Sequence, residues 1–216
     1  MGLKVYGLPM STNTARVIAC LNEKGLEYEL VPVDLRTGAH KQQPFISLNP
    51  FGQLPAFQDG DLTLFESRAI TKYIAEKYKG TGPDLLRQGS ITESAIVGVW
   101  LEVEAQQFGP PIADLVLEIL IKPMLGGTTD PQAVEIHAEK LAKVLDVYEE
   151  RLTKTKYIAG DHFTLVDLHH LPYTFCLMNT PKASLITCRP HVLAWWEDIS
   201  SRPAWKKTAE GIKYGP

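Results

Sequence analysis

Lys79-Gly80-Thr81-Gly82-Pro83-Asp84 divides this sequence in two. Glycine and proline punctuate the chain there, and no periodic apolar residue bridges the gap. Before it, short strand-like and helix-like runs alternate; after it, every periodic run is helical. The expected organisation is a small α/β domain over residues 1–79, a linker over 80–89 and an all-helical domain over 90–216.

Working back from the linker, residues 67–78 carry Ile70, Tyr73, Ile74 and Tyr78 on one helical stripe. Residues 54–57 and 62–64 read as two strands flanking the turn Asp59-Gly60. Residues 28–33 are β-branched and aromatic, and Lys4-Val5-Tyr6 reads as a first strand. Between them residues 14–24 form a helix, with Val17, Ile18 and Leu21 on one face and Gly25 as the stop. The order β-α-β, then β-β-α, implies a small mixed sheet with helices.

Working forward, Ser90-Ile91-Thr92-Glu93 reads as a capping box, followed by Ile96, Trp100 and Val103 at helical spacing. Gly109-Pro110-Pro111 is expected to kink or break that helix, and residues 112–121 resume the pattern. Asp130-Pro131 supplies an N-cap and a first-turn proline to a helix burying Leu141, Val144, Leu145, Tyr148 and Leu152. Thr164-Leu165-Val166-Asp167 is a second capping box, with Phe163 and Leu168 placed as a hydrophobic staple. The last two helices carry Val192, Trp195, Trp196 and Ile199, then Trp205 and Ile212.

Composition narrows the functions. The net charge of −3 gives no electrostatic reason to expect nucleic acid or an anionic membrane as a partner. No segment approaches the ~20 apolar residues of a membrane span, and the start lacks a signal peptide's apolar core. Cys20, Cys176 and Cys188 are odd in number and widely spaced, which suits a reducing compartment and a cytoplasmic location. No Gly-rich phosphate loop, nucleophile elbow or zinc-protease pattern is present. His169 and His170 are adjacent on a helix, so they point about 100° apart, and no metal site is expected.

Three weak features converge. Met10-Ser11-Thr12-Asn13-Thr14 precedes the first helix, whose free N–H groups favour an anion that Ser11 could meet; taken alone, such a run is more often a simple cap. Gln53-Leu54-Pro55 puts a proline at a strand entry; a cis bond would turn the Leu54 backbone toward an extended peptide, whereas the plain reading is an edge-strand proline. Glu66 and Ser67 at the next helix start match an ammonium and a carboxylate, with an N-cap again the plain alternative. His40-Lys41 could hold a second carboxylate, though exposed basic pairs are usually just solvated. Together they describe a tripeptide site with a thiolate facing Ser11.

The whole chain resembles the cytosolic glutathione transferases, and within them the plant phi class. The resemblance is densest in Ala39-His40-Lys41, Asn49-Pro50-Phe51-Gly52-Gln53-Leu54-Pro55-Ala56-Phe57, Phe65-Glu66-Ser67-Arg68-Ala69-Ile70 and Lys143-Val144-Leu145-Asp146-Val147-Tyr148-Glu149. It implies a thioredoxin-like N-terminal domain, a helical C-terminal domain and a homodimer, with glutathione as co-substrate and no permanently bound cofactor. On that resemblance Ser11 is the catalytic serine that stabilises the thiolate. His40 and Lys41 hold the glycine carboxylate, Gln53 and Leu54 the peptide beside a cis-Pro55, and Glu66 and Ser67 the γ-glutamyl end. Phe51 resembles the aromatic key of related dimers, and Asp167 a capping residue with a folding role. The electrophile would occupy an apolar cleft between domains, with Met10, Leu117, Ile121, Tyr173 and Phe175 as lining; a helical core stripe explains Leu117 and Ile121 equally. A cysteine at the Ser11 position would imply thiol exchange; serine leaves conjugation, with hydroperoxide reduction as a secondary expectation. The alternatives are a non-catalytic carrier of flavonoid-like or other apolar ligands and an interaction module of the kind found in longer chains.

Overall fold

The computed structural model describes residues 2–213. Among the described residues, contacts gather 2–86 together with 202–213 into one compact unit, and Arg87–Ser201 into a second.

The first unit is built from β1 (Leu3–Gly7), α1 (Thr12–Glu23), β2 (Tyr28–Pro32), α2 (Phe45–Leu48), β3 (Ala56–Asp59), β4 (Leu62–Phe65) and α3 (Ser67–Lys77). The sheet order is β2-β1-β3-β4. Strand β2 runs parallel to β1, which requires the α1 crossover, while β3 and β4 add antiparallel. The apolar face predicted for α1 is buried, with Val17, Ile18 and Leu21 at 5% exposure or less. The helix stops at Gly25, whose φ of 63° suits a residue without Cβ.

Strand β3 starts two residues later than the sequence pattern suggests. Its pairing with β1 begins at Ala56 opposite Tyr6, so Leu54 and Pro55 stay outside the ladder. The Asp59-Gly60 turn does more than reverse the chain. Asp59 accepts hydrogen bonds from Lys77 Nζ (2.6 Å), Tyr78 OH (2.9 Å) and Tyr73 OH (3.0 Å), clamping the end of β3 to α3. Burial raises the Asp59 pKa, but these three donors outweigh it and hold the carboxyl below its usual range.

The second unit opens with α4 (Ile91–Val103). Ser90 Oγ accepts from Glu93 N at 3.3 Å, but the Glu93 carboxylate turns to Arg87 Nε at 2.8 Å, so only half of the expected capping box forms. Of the kink or break expected at Gly109-Pro110-Pro111, the break does not occur. A π-helical turn over Glu104–Phe108 leads directly into α5 (Gly109–Val116), and a second over Leu117–Ile121 leads into α6 (Lys122–Met124). Each proline ring would strike the carbonyl four residues back, at Gln106 and Gln107, and both lie within the widened π turn.

Asp130 caps α7 (Pro131–Leu152) through the N–H groups of Gln132 and Ala133. Val134, Ala138, Leu141, Leu145, Tyr148 and Leu152 face inward at helical spacing, while Val144 is only half-buried. The second capping box is complete at the start of α8 (Leu165–Met178). After α9 (Ser184–Thr187), α10 (Pro190–Ser200) buries Val192, Trp195, Trp196 and Ile199. His170 is a satisfied core residue, with Nε2 at 3.0 Å from Tyr148 OH and Nδ1 at 2.6 Å from Val166 O.

The last helix, α11 (Pro203–Ala209), differs from the expected assignment to the helical domain. It packs on α1, where Asn22 Nδ2 donates to Thr208 Oγ1 (2.9 Å) and Arg202 holds Glu23 through two bonds of 2.6 and 2.7 Å. No helix among the described residues is long and apolar enough to cross a membrane.

Candidate functional site

Ser11 is the N-cap of α1, with extended backbone (φ −72°, ψ 121°). Its Oγ accepts from Thr14 N at 3.4 Å, and a hydroxyl that accepts there keeps its own proton to donate. The helix end adds unpaired N–H groups and a positive dipole end, the arrangement that favours an anion.

A cleft of about 320 Å³ opens beside this residue. It brings together Ser11, His40, Lys41, Gln53 and Leu54 from the sequence-derived set, and adds Asn13, Leu35 and Gly52, to which the sequence reading gave no role. His40 Nδ1 is buried without a hydrogen-bond partner among the described residues. Lys41 Nζ donates to Phe51 O at 2.9 Å, so the ammonium braces the loop as well as facing solvent. The Leu54–Pro55 bond is cis, and so is Gln43–Pro44, which the sequence reading did not anticipate.

The loop carrying Gln53 is held from within. Asn49 is buried; its Nδ2 donates to Gln53 O at 2.7 Å and its Oδ1 accepts from Phe51 N at 3.0 Å. Gly52 sits at φ 57°, and a Cβ there would lie 2.6 Å from His40 O and 2.8 Å from Lys41 Cδ. An asparagine beside a Pro-Phe-Gly turn was the available signal for this brace. Gly52→Ala is expected to lower stability by about 1–3 kcal/mol, since a left-handed non-glycine and a backbone clash coincide. Urea unfolding with an unchanged midpoint would contradict it.

Glu66 and Ser67 lie at the start of α3. Glu66 adopts φ 67°, ψ 104°, a strained geometry for a non-glycine residue, and its side chain is exposed. Ser67 is buried and its Oγ accepts from Arg16 Nη1 at 2.7 Å. The remaining expected residues divide by exposure. Met10 and Leu117 are exposed, whereas Ile121, Tyr173 and Phe175 are half-buried. Phe51 is 65% exposed, with its ring 6.0 Å from that of Phe65.

A four-stranded α/β unit with a polar cleft at its first helix, followed in sequence by a helical unit, defines a thioredoxin-like domain joined to an all-α one. The family models described as the N-terminal and C-terminal domains of glutathione S-transferase match residues 1–76 and 109–203. A glutathione S-transferase of Hyoscyamus muticus is 57% identical over 210 residues, covering 97% of this chain and 99% of that protein. Glutathione transferase F7 from Populus trichocarpa superposes with a TM-score of 0.96 at 59% identity, over 98% of this chain and 100% of that one. Glutathione S-transferase I from maize, solved with an atrazine–glutathione conjugate, gives 0.93 at 49% identity over the whole of both chains. The chain belongs to the glutathione S-transferase family, in its plant phi class. Its activity is conjugation of glutathione, as co-substrate, to electrophilic small molecules.

Proposed function

We propose that the cleft beside α1 binds glutathione, with Ser11 as the catalytic residue donating its hydroxyl proton to the thiolate. His40 and Lys41 hold the glycine carboxylate, Gln53 and Leu54 align the peptide beside Pro55, and Glu66 and Ser67 take the γ-glutamyl end. The observation that carries this reading is the convergence of Ser11, His40, Lys41, Gln53 and Leu54 on one cleft at a helix N-terminus. Leu54 lies outside the sheet ladder, which leaves its backbone groups available to an extended peptide. The electrophile is taken by apolar side chains, with Met10, Leu117, Ile121, Tyr173 and Phe175 as candidates.

The test is turnover of glutathione with an aryl halide across pH. Conjugation with an apparent pKa well below that of free glutathione supports a serine-type transferase. Glutathione binding without turnover would favour a carrier, a role the relatives do not favour.

The working unit is proposed to be a cytoplasmic homodimer. Phe51 exposes a large ring, and Ile91, Ile96 and Val99 leave an uncovered apolar face on α4. A contiguous apolar face of this kind is the sort of surface that subunit association covers. Scattering mass is expected to give a dimer for the wild type and to shift toward monomer for Phe51→Ser; a wild-type monomer rejects the assignment.

A further inference from the structure

A second cavity, of about 250 Å³, lies wholly within the helical unit, lined from the start of α4, the end of α7 and the loop leading into α8. Ile96, Val97 and Ala159 give it an apolar wall. Two of its charges answer each other, with Arg87 Nε at 2.8 Å from Glu93 Oε2. Arg87 holds a left-handed backbone (φ 55°), a costly conformation for a non-glycine residue and one that clusters at ligand sites.

Arg151 is placed differently. Its Nε donates to Ile158 O at 3.1 Å, and its Cζ lies 5.5 Å from the centre of the Trp100 ring. These contacts hold one edge and one face of the half-buried guanidinium. Among the described residues no carboxylate lies within ion-pair distance of it, and neither Nη has an acceptor. A planar fork of donors is thus fixed in orientation on the cavity lining and open to an acceptor. The facing turn is equally fixed: Tyr157 N donates to Gly160 O at 2.8 Å, Gly160 N returns a bond to Tyr157 O at 3.2 Å, and Thr155 Oγ1 donates to the same Tyr157 O at 2.8 Å.

We propose that this cavity binds a small carboxylate with an apolar body. The carboxylate takes the Arg151 fork as a bidentate pair. The body lies on Ile96, Val97 and Ala159, the mixture of apolar wall and few polar anchors that small-molecule sites use. His162, exposed at the lining, adds positive charge when protonated. Asp161 lines the cavity too, and its negative charge disfavours a dianion such as phosphate. The cavity shares no lining residue with the cleft beside Ser11, so this site stands independently of the glutathione reading.

The experiment is calorimetric titration of the full chain with 3-phenylpropionate, its neutral amide and inorganic phosphate. Saturating S-hexylglutathione is present throughout, to occupy the conjugation site. The acid is expected to bind about ten-fold more tightly than either the amide or phosphate, because only it offers both a monoanionic fork partner and an apolar body. Arg151→Gln should lower affinity for the acid about ten-fold and leave the amide within about two-fold. His162→Glu, at an exposed position, should also weaken the acid more than the amide.

No binding of the acid by the wild type overturns the proposal, as does equal affinity for acid and amide. Phosphate binding as tight as that of the acid overturns the ligand class. A folded Arg151→Gln with wild-type affinity for the acid places the ligand elsewhere and overturns the site. Should Arg151→Gln not fold, His162→Glu decides: selective weakening of the acid supports the site, and unchanged affinity rejects it.

Discussion

Ser11→Ala is expected to leave glutathione bound and to remove most of the turnover. A free thiol titrates near ~8.5, so only a few per cent is thiolate at neutral pH. Bringing that value down by about two units requires ~3 kcal/mol of preferential thiolate stabilisation. The α1 N-terminus contributes ~0.3–1 kcal/mol where exposed and up to ~2 where partly buried. A hydrogen bond to a charged acceptor adds ~1.5–3 kcal/mol. The two together suffice without a base or a metal, and the alanine variant keeps only the first. Turnover at neutral pH should therefore fall roughly ten- to hundred-fold, with the apparent pKa rising by ~1–2 units. Glutathione affinity should change little, since the other proposed contacts, His40, Lys41, Gln53, Leu54, Glu66 and Ser67, remain. The variant also loses the cap bond to Thr14 N, which costs ~0.5–2 kcal/mol of stability, so the comparison is made on protein shown to be folded. Unchanged turnover across pH would remove Ser11 from the mechanism.

The fold was legible where local chemistry acts alone. The caps at Ser90, Asp130 and Thr164 all read correctly as element boundaries, because each works within a few residues. The failures involve partners distant in sequence or compensation between neighbours. Gly109-Pro110-Pro111 reads as a helix kink or break until the preceding turn is known to widen and carry the helix through. Trp205 looks like part of the helical domain until Thr208 and Arg202 are seen bonding α1. Glu93 fits a capping box by spacing, but Arg87 competes for its carboxylate. In the cleft, Ser11, His40, Lys41, Gln53 and Leu54 were legible as residue types that come together. Those that hold the cleft were not: the Asn49 side chain bonds Gln53 and Phe51 of its own loop, and Gly52 owes its identity to His40 O across a turn. Asp59 shows the same limit, since spacing reveals the turn but not the tyrosines and the lysine on α3 that close over it.

Asp167→Ala should come close to abolishing folding. Asp167 is fully buried and its two oxygens accept from Trp195 Nε1 (3.0 Å), Thr164 N (3.0 Å), Ile158 N (3.2 Å) and Thr164 Oγ1 (3.3 Å). One carboxyl thus ties the cap of α8, the loop before it and α10. Alanine leaves three buried N–H donors without an acceptor, at ~1–3 kcal/mol each. A loss of ~3–9 kcal/mol sits against a total of ~5–15 for a typical protein. Asn retains one oxygen and should fall between wild type and alanine. The pH dependence separates this from a mere packing defect. Burial pushes the carboxyl up to about 6, against the pull of the four donors, from an ordinary 3.8. Because the folded pKa is the higher one, this residue's titration-linked stability is fully present below the unfolded value and is lost as pH rises through about 6. The gap in urea midpoint between wild type and Asp167→Asn should therefore widen as pH falls from neutral toward 4, since only the wild type gains a proton in that window. A gap independent of pH would mean that Asp167 acts through its shape alone, and an Asp167→Ala protein with wild-type stability would mean that the three orphaned donors find other acceptors.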